Sequence, residues 1–145
     1  MKRNWYKFRV KYGKTLDMGK KKKVSEEYLV DAESFTETEK RANRAAAELI
    51  GTRDFDITAI SREPITDILK GEEDKENHWY KVVVALITED EEIRAKKYSP
   101  QVVYANAQNT KEADSMVRSH FSDVMQDWEV KSIAETKVLG VLEYK

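Results

Sequence analysis

The stretch Trp5-Tyr6-Lys7-Phe8-Arg9-Val10 recurs as Trp79-Tyr80-Lys81-Val82-Val83-Val84, at an offset of 74 positions. Residues 5–36 overlay residues 79–110 at this offset without a gap, and beyond the helical segment the offset falls to 73. A one-residue slip of this kind is tolerated where a helix turns into a strand. Self-similarity at a nearly constant offset predicts an internal duplication. A duplication informs the prediction of the fold and says little about chemistry.

The first half alternates between two hydrophobic periods. Apolar and polar residues alternate over residues 5–12 and 22–32, which predicts an antiparallel hairpin with one wet face. Ser34 and Glu37 have the spacing of a capping box, and Thr36 and Glu39 offer a competing cap in the next register. With the stripe of apolar residues that follows, they predict a helix over 35–50 that stops at Gly51. Alternation returns at 55–60 as a third strand, and 65–69 either bends that strand or adds a short fourth one.

The second half repeats this order of elements. Strands are predicted at 79–88 and 97–105, followed by a helix capped by Asn109 and by further strands at 128–134 and 138–144. The sequence therefore predicts the same β-β-α-β unit twice.

The predicted fold class is α+β. A helix that returns the chain beside the first strand gives the strand order 2-1-3 in each unit. We expect two repeats, at 5–69 and 79–142, joined by a charged linker at 70–78 into a single domain over 1–145. The duplication would then form one mostly antiparallel sheet of about six strands with both helices on one face.

Composition favours a soluble protein. The 145 residues include 37% charged and 40% hydrophobic residues and no cysteine, which excludes disulfides and thiolate chemistry. The N-terminus lacks the apolar core of a signal peptide, and no stretch approaches the roughly 18 apolar residues of a membrane span. These features predict a cytoplasmic protein without a membrane partner.

The net charge of −1 conceals an asymmetry between the halves. Residues 1–70 carry 16 lysines and arginines against 12 aspartates and glutamates, whereas residues 71–145 carry 10 against 15. Most of the difference lies in the two hairpins. Such opposed patches can orient a partner or a second copy of the chain.

Five short segments of the chain are distinctive, namely Trp5-Tyr6-Lys7, Tyr28-Leu29-Val30-Asp31-Ala32, Ser34-Phe35-Thr36-Glu37, Trp79-Tyr80-Lys81 and Leu86-Ile87-Thr88. In these segments the chain resembles an uncharacterised domain family of Bacteroides and their relatives, phages and mobile elements, and the resemblance spans nearly the whole chain. It implies no activity and no site residues. What it implies is a context, since small phage proteins of this kind often act on host systems by binding.

Catalysis has little support in the sequence. His78 and His120 have no spacing typical of a metal site, and the acidic run 89–92 lacks the ligand pattern of a calcium loop. No glycine-rich phosphate loop is present. We therefore predict a non-enzymatic protein with no catalytic residues, metal or cofactor.

The first hairpin is the candidate binding site. Its strand places an indole and three cations on one side, and a lysine cluster follows across the loop. The candidate ligand-binding residues are Trp5, Lys7, Arg9, Lys11, Lys20, Lys21, Lys22 and Lys23. Cations beside an aromatic ring can bind phosphates and a stacked base together. The alternative is a solvated sheet face with one exposed tryptophan.

The equivalent face of the second half is more apolar and is the candidate oligomer interface. It comprises Trp79, Lys81, Val83 and Ala85. Exposed apolar strands usually contact another part of the chain or another subunit.

Two classes of function follow. In the first, the protein is a small phage or mobile-element protein that binds nucleic acid or a nucleotide. In the second, it is a homo-oligomeric structural or interaction protein. A hybrid would be a counter-defence protein that sequesters a nucleotide signal at a subunit interface.

Overall fold

The structure, a computed structural model, describes residues 4–143, and these form two compact units. The first unit runs to Pro64 and resumes at Lys137, and the second unit is Ile65–Thr136. The chain therefore leaves the first unit once and returns to it near its end.

The first unit is a four-stranded sheet with one helix. Strands and helix are numbered in chain order: β1 is Asn4–Thr15, β2 is Lys21–Ala32, α1 is Phe35–Ile50, β3 is Phe55–Glu63 and β8 is Val138–Leu142. The strand order is β3-β1-β2-β8. β1 pairs antiparallel with both β2 and β3, whereas β8 pairs parallel with β2.

The second unit has the same composition. It contains β4 at Asp67–Leu69, β5 at His78–Asp90, β6 at Ala95–Ala107, α2 at Thr110–His120 and β7 at Asp127–Glu135. The strand order is β4-β6-β5-β7, and the short strand β4 pairs parallel with β6.

The predicted α+β class and the 2-1-3 strand order in each half are confirmed, but the single sheet of about six strands is wrong. There are two sheets of four strands, because the short strand that ends each half joins the sheet of the other half. Those pairings fill the edge that the 2-1-3 order leaves open on the second strand. An exact duplication and a single domain stay predictions.

The gapless overlay of residues 5–36 on 79–110 is also wrong in its second part. Trp5 lies opposite Asp31, and Trp79 lies opposite Asn106, so the second strands correspond at an offset of 75 instead of 74. The shift arises at the hairpin end, because Thr15 pairs with Lys21 whereas the equivalent Glu89 pairs with Lys96, which leaves one more residue between the paired positions in the second half. Loops absorb such insertions, whereas a slip within a strand would turn every side chain to the other face.

The core of the first unit lies between α1 and the sheet. Alternate residues of β1 and β2 point toward the helix, and small alanines on α1 allow a close approach. The buried cluster is Tyr6, Phe8, Val10, Tyr28, Val30, Ala32, Ala42, Ala45 and Ala46. Leu142 of β8 packs against this cluster, so the core takes an apolar side chain from the far end of the chain.

The core of the second unit is built in the same way under α2. Its buried cluster is Tyr80, Val82, Val84, Val103, Ala105, Ala107, Ala113, Val117 and Phe121. Leu69 of β4 packs against it, and β4 is the last strand of the first repeat.

Both helices begin at the caps that the sequence predicts. The Ser34 hydroxyl accepts a hydrogen bond from the Glu37 amide at 3.1 Å, and the Asn109 side chain accepts one from the Glu112 amide at 2.8 Å. α1 ends at Gly51, whose φ of 81° is left-handed and suits glycine.

The predicted linker 70–78 is anchored within the second unit. The Asn77 amide nitrogen donates to the Glu72 carbonyl and to the Asn106 side chain, both at 2.8 Å. Gly71 lies against the Asn106 backbone, where an added Cβ would overlap the carbonyl oxygen and come within 2.9 Å of the Asn77 nitrogen.

We expect Gly71→Ala to lower the free energy of unfolding by roughly 1 to 3 kcal/mol, because the methyl group must displace backbone. Gly13→Ala is the matched control, since a Cβ at Gly13 would meet nothing within 4 Å. Urea denaturation of both variants measures the difference. Equal stabilities of the two variants would show that the segment around Gly71 is not held against Asn106.

Tyr28 couples the first core to pH. Its ring stacks on Phe8 at a centroid distance of 5.7 Å, and its hydroxyl donates to Glu26 at 3.3 Å. Burial, reinforced by the Glu26 carboxylate, raises the pKa of Tyr28 to about 12 from 10.0. The folded state therefore retains the phenolic proton in a range where the unfolded chain releases it.

The stabilisation from Tyr28 is complete below pH 10 and is lost as the pH rises toward 12. Each pKa unit corresponds to about 1.4 kcal/mol, so we expect the wild type to lose on the order of 2 kcal/mol more than Tyr28→Phe between pH 9 and 12. Urea denaturation across this range tests the expectation. Parallel pH profiles for the two proteins would contradict it.

Candidate functional site

The residues proposed as a ligand face lie on the side of β1 that points away from α1. Tyr6, Phe8 and Val10 enter the core, so Lys7 and Arg9 project to the opposite side of the sheet. The regular β1–β2 register keeps that alternation along the strand. The predicted placement on one strand face therefore holds.

Trp5 is not available to a ligand. Its side chain is buried, with 9% of the residue exposed, and its neighbour across the strand pair, Asp31, is 2% exposed. Stacking requires a free ring face. Trp5 therefore leaves the candidate site, although its position in the strand is as expected.

Lys7 and Arg9 are engaged by carboxylates of the same sheet. The Lys7 ammonium lies 3.4 Å from the Glu63 carboxylate, and the Arg9 guanidinium donates to Glu27 at 3.0 Å. Glu63 is on β3 and Glu27 on β2, so each cation is paired across a strand. A polyanion would have to compete with these ion pairs, so Lys7 and Arg9 are weaker candidates for phosphate contacts than lysines that have no carboxylate partner.

The remaining cations gather at the end of the hairpin and form what we call the basic tip. The basic tip comprises Lys11, Lys14, Lys20, Lys21, Lys22 and Lys23. All six residues are exposed, and none has an ion pair with another of residues 4–143. Lys14 adds to the set predicted from sequence.

The strand register distributes these lysines over both faces of the hairpin. Lys14 lies directly opposite Lys22, while Lys11 and Lys21 project to the other face. Like charges directly opposite each other on paired strands are destabilising. An anion bound at the tip would relieve that repulsion.

The loop that closes the basic tip is apolar at its apex. The Leu16 amide donates to the Lys20 carbonyl at 2.6 Å, which joins the two residues that flank a turn of 3-10 helix at Asp17–Gly19. Met18 is 97% exposed and Leu16 44% exposed. No periodic pattern predicts the exposure of these two side chains, because they lie outside the strands.

The residues predicted as an oligomer interface are mostly covered within one chain. Trp79 is 8% exposed and Ala85 is 4% exposed, whereas Lys81 and Val83 are half-buried. An interface needs side chains that are accessible in the free protomer. Only Lys81 and Val83 are partly accessible.

The second hairpin ends in an acidic tip, defined as Glu89, Asp90, Glu91 and Glu92. All four residues are exposed, and Ile93 beside them is 71% exposed. The Asp90 carboxylate accepts from the Glu92 amide at 3.0 Å, which orders the turn. Arg94, Lys96 and Lys97 are exposed in the same hairpin end, so residues 89–97 carry a net charge of −1, against +5 for residues 11–23. The two hairpin ends therefore differ in the sign of their charge, and each has an exposed apolar side chain at its apex.

The two histidines each contact one carboxylate. His120 lies 2.9 Å from Asp67, and His78 lies 3.4 Å from Glu135. Within residues 4–143, no cluster of three or more histidine, aspartate or glutamate side chains is placed to hold a metal ion. In the same range neither helix is long and apolar enough to cross a membrane.

Comparison with known families identifies one family that matches the chain. A family model described as a domain of unknown function (DUF4494) matches residues 4–144, and the chain belongs to this family. No curated protein and no solved structure matches it. The match supports the resemblance seen in the sequence at the level of the family and assigns no activity.

Proposed function

We propose that the protein acts without catalysis, by binding the phosphate backbone of nucleic acid at the basic tip. The observation that carries the proposal is the group of six exposed lysines with no carboxylate partner among the described residues. A hairpin projects such cations beyond the sheet, where a groove or a single strand can reach them.

The chemistry of the tip favours phosphates over bases. Lysine ammonium groups act as mobile point charges and carry no fixed geometry for base edges. With Trp5 buried, the tip also lacks the aromatic platform that single-strand binders use. We therefore propose binding without sequence preference, through counterion release.

The charge of the whole chain limits the affinity. The net charge is −1, and a single carboxylate, Asp17, lies in the loop of the basic tip itself. Binding of this kind typically has dissociation constants of about 10⁻⁴ to 10⁻⁶ M at physiological salt. The protein is thus proposed to bind nucleic acid weakly and locally.

Replacing Lys21, Lys22 and Lys23 by serine should weaken binding of a mixed-sequence single-stranded oligonucleotide by roughly 100-fold at 50 mM salt. Each lost phosphate contact should also reduce the log-log salt slope by about 0.7, which amounts to about 2 for three contacts. Fluorescence anisotropy over a salt series measures both quantities.

The matched control removes three exposed lysines that lie elsewhere, namely Lys97, Lys111 and Lys137. This control has the same net charge as the tip variant and should keep most of the wild-type affinity. Equal losses in the two variants would mean that binding depends on overall charge, and absence of binding at low salt would refute the proposal.

A second candidate function is self-association, and the opposed tips favour it. The basic tip has exposed Leu16 and Met18 beside its lysines, and the acidic tip has exposed Ile93 beside its carboxylates. Complementary patches at different places on one chain form a head-to-tail contact, which closes into a ring or continues as a filament. This interface differs from the one predicted around Val83.

A charge exchange tests self-association directly. Glutamates at positions 21, 22 and 23 should abolish association, as should lysines at positions 89, 91 and 92, because each change places like charges together. A mixture of the two variants should restore a heterodimer at low salt. Sedimentation velocity measures the masses, and a mixture that stays monomeric would exclude this contact.

A further inference from the structure

A cavity of about 610 Å³ opens on the surface of the first unit. It lies where the last turns of α1 meet the start of β3. Its lining residues are Asn43, Arg44, Ala47, Glu48, Arg53 and Phe55. A volume of this size is typical of sites for small organic ligands.

The helical period explains why α1 contributes to this cavity. Ala42, Ala45 and Ala46 face the core, so Arg44 and Glu48 lie on the exposed side of the same helix. The chain then reverses at the left-handed Gly51, whose amide bonds the Ala47 carbonyl at 3.0 Å. That reversal brings the residues after the helix back alongside its last turns.

The cavity holds two arginines without an internal partner. Arg44 and Arg53 are exposed, and the side chain of neither forms a hydrogen bond or an ion pair with another residue in the described range 4–143. Glu48 is the one carboxylate in the lining, so the lining carries a net positive charge. Guanidinium groups present planar forks of donors that match phosphate and carboxylate oxygens.

Phe55 supplies an aromatic surface in the same cavity. The residue is half-buried and packs against the first core, while it also lines the opening. Its position on β3 is fixed by pairing with Tyr12 of β1. A ring held from behind by the core costs little entropy when a planar ligand stacks on its free side.

A hydrogen-bonding group completes the lining. The Asn43 amide nitrogen donates to the Glu39 carbonyl at 2.9 Å, which orients the side chain. Its amide oxygen can then accept from an amino or hydroxyl group of a ligand. Cations, an aromatic ring and an oriented amide are the groups that recognise the phosphate, the base and the ribose of a nucleotide.

We propose that this cavity binds a nucleoside monophosphate, with the phosphate on Arg44 and Arg53 and the base against Phe55. This site lies beside the base of the basic tip, since Phe55 pairs with Tyr12 and Asp56 with Lys11, but none of the tip's lysines lines it. It takes one small ligand, whereas the tip contacts successive phosphates of a polymer. Two guanidinium groups beside an aromatic ring also predict a preference for nucleotides over inorganic phosphate, because only the nucleotide contacts both.

Isothermal titration calorimetry with AMP, GMP, CMP and UMP, and with inorganic phosphate as a separate arm, tests the proposal. We expect at least one nucleotide to bind at least tenfold more tightly than inorganic phosphate. Replacing Arg44 and Arg53 by glutamine should weaken that nucleotide at least tenfold, and Phe55→Leu should abolish its advantage over phosphate. Circular dichroism establishes that each variant is folded.

Two controls separate this site from the proposed nucleic-acid interface. Arg62→Gln removes an exposed arginine of β3 outside the cavity and should leave nucleotide affinity unchanged. The serine variant of Lys21, Lys22 and Lys23 should also keep it. The proposal would be overturned if nucleotide and phosphate bound with equal affinity, or if the double arginine variant bound the nucleotide as the wild type does. A loss of nucleotide binding in the tip variant, or no binding at nucleotide concentrations of about 10 mM, would also overturn it.

Discussion

The hydrogen bonds that β8 makes along β2, and that β4 makes along β6, are the constraint on which both units depend. Without them the second strand of each hairpin would present an unpaired edge, which invites aggregation. The same two strands deliver Leu142 and Leu69 to the two cores. Burying a leucine side chain contributes about 1.5 to 3 kcal/mol, which matters for a unit of roughly 70 residues. Each half of the sequence therefore completes the sheet and the core of the other half.

Local signals predicted the elements well, because their causes lie within a few residues. Alternation identified β1 and β5, and the Ser34 and Asn109 caps set the start of each helix. The partners of the short fourth strands could not be predicted in this way. The three residues Asp67–Leu69 contain no local pattern that indicates whether the strand pairs within its own half or with the other half. The same limit applies to burial: Trp5 alternates with Lys7 and Arg9 as an outward residue would, yet it is covered.

The candidate ligand site also differs from its prediction because of contacts between distant parts of the sequence. The sequence placed the cations correctly on β1, but it could not show that Glu63 and Glu27, from other strands, neutralise Lys7 and Arg9. What survives is the hairpin end, where all of the lysines except Lys11 lie beyond the last pairs that β3 and β8 make with the hairpin. The cavity beside Arg44 and Arg53 was missed for a related reason, because it depends on the chain reversal at Gly51, which brings together residues with no shared periodic pattern.

The exchanged strands have a consequence for how the family can vary. Residues 138–142 must fit β2, more than a hundred positions earlier, and residues 67–69 must fit β6. Gly140 illustrates the fit, since a Cβ there would lie 3.5 Å from the Tyr28 ring. A bulkier residue at position 140 would favour a smaller one at position 28, so the two ends of the sequence are expected to co-vary. Recombination that replaces one half from a diverged relative would therefore separate strands from the sheets to which they are matched, and natural chimaeras joined in the middle of the chain should be rare.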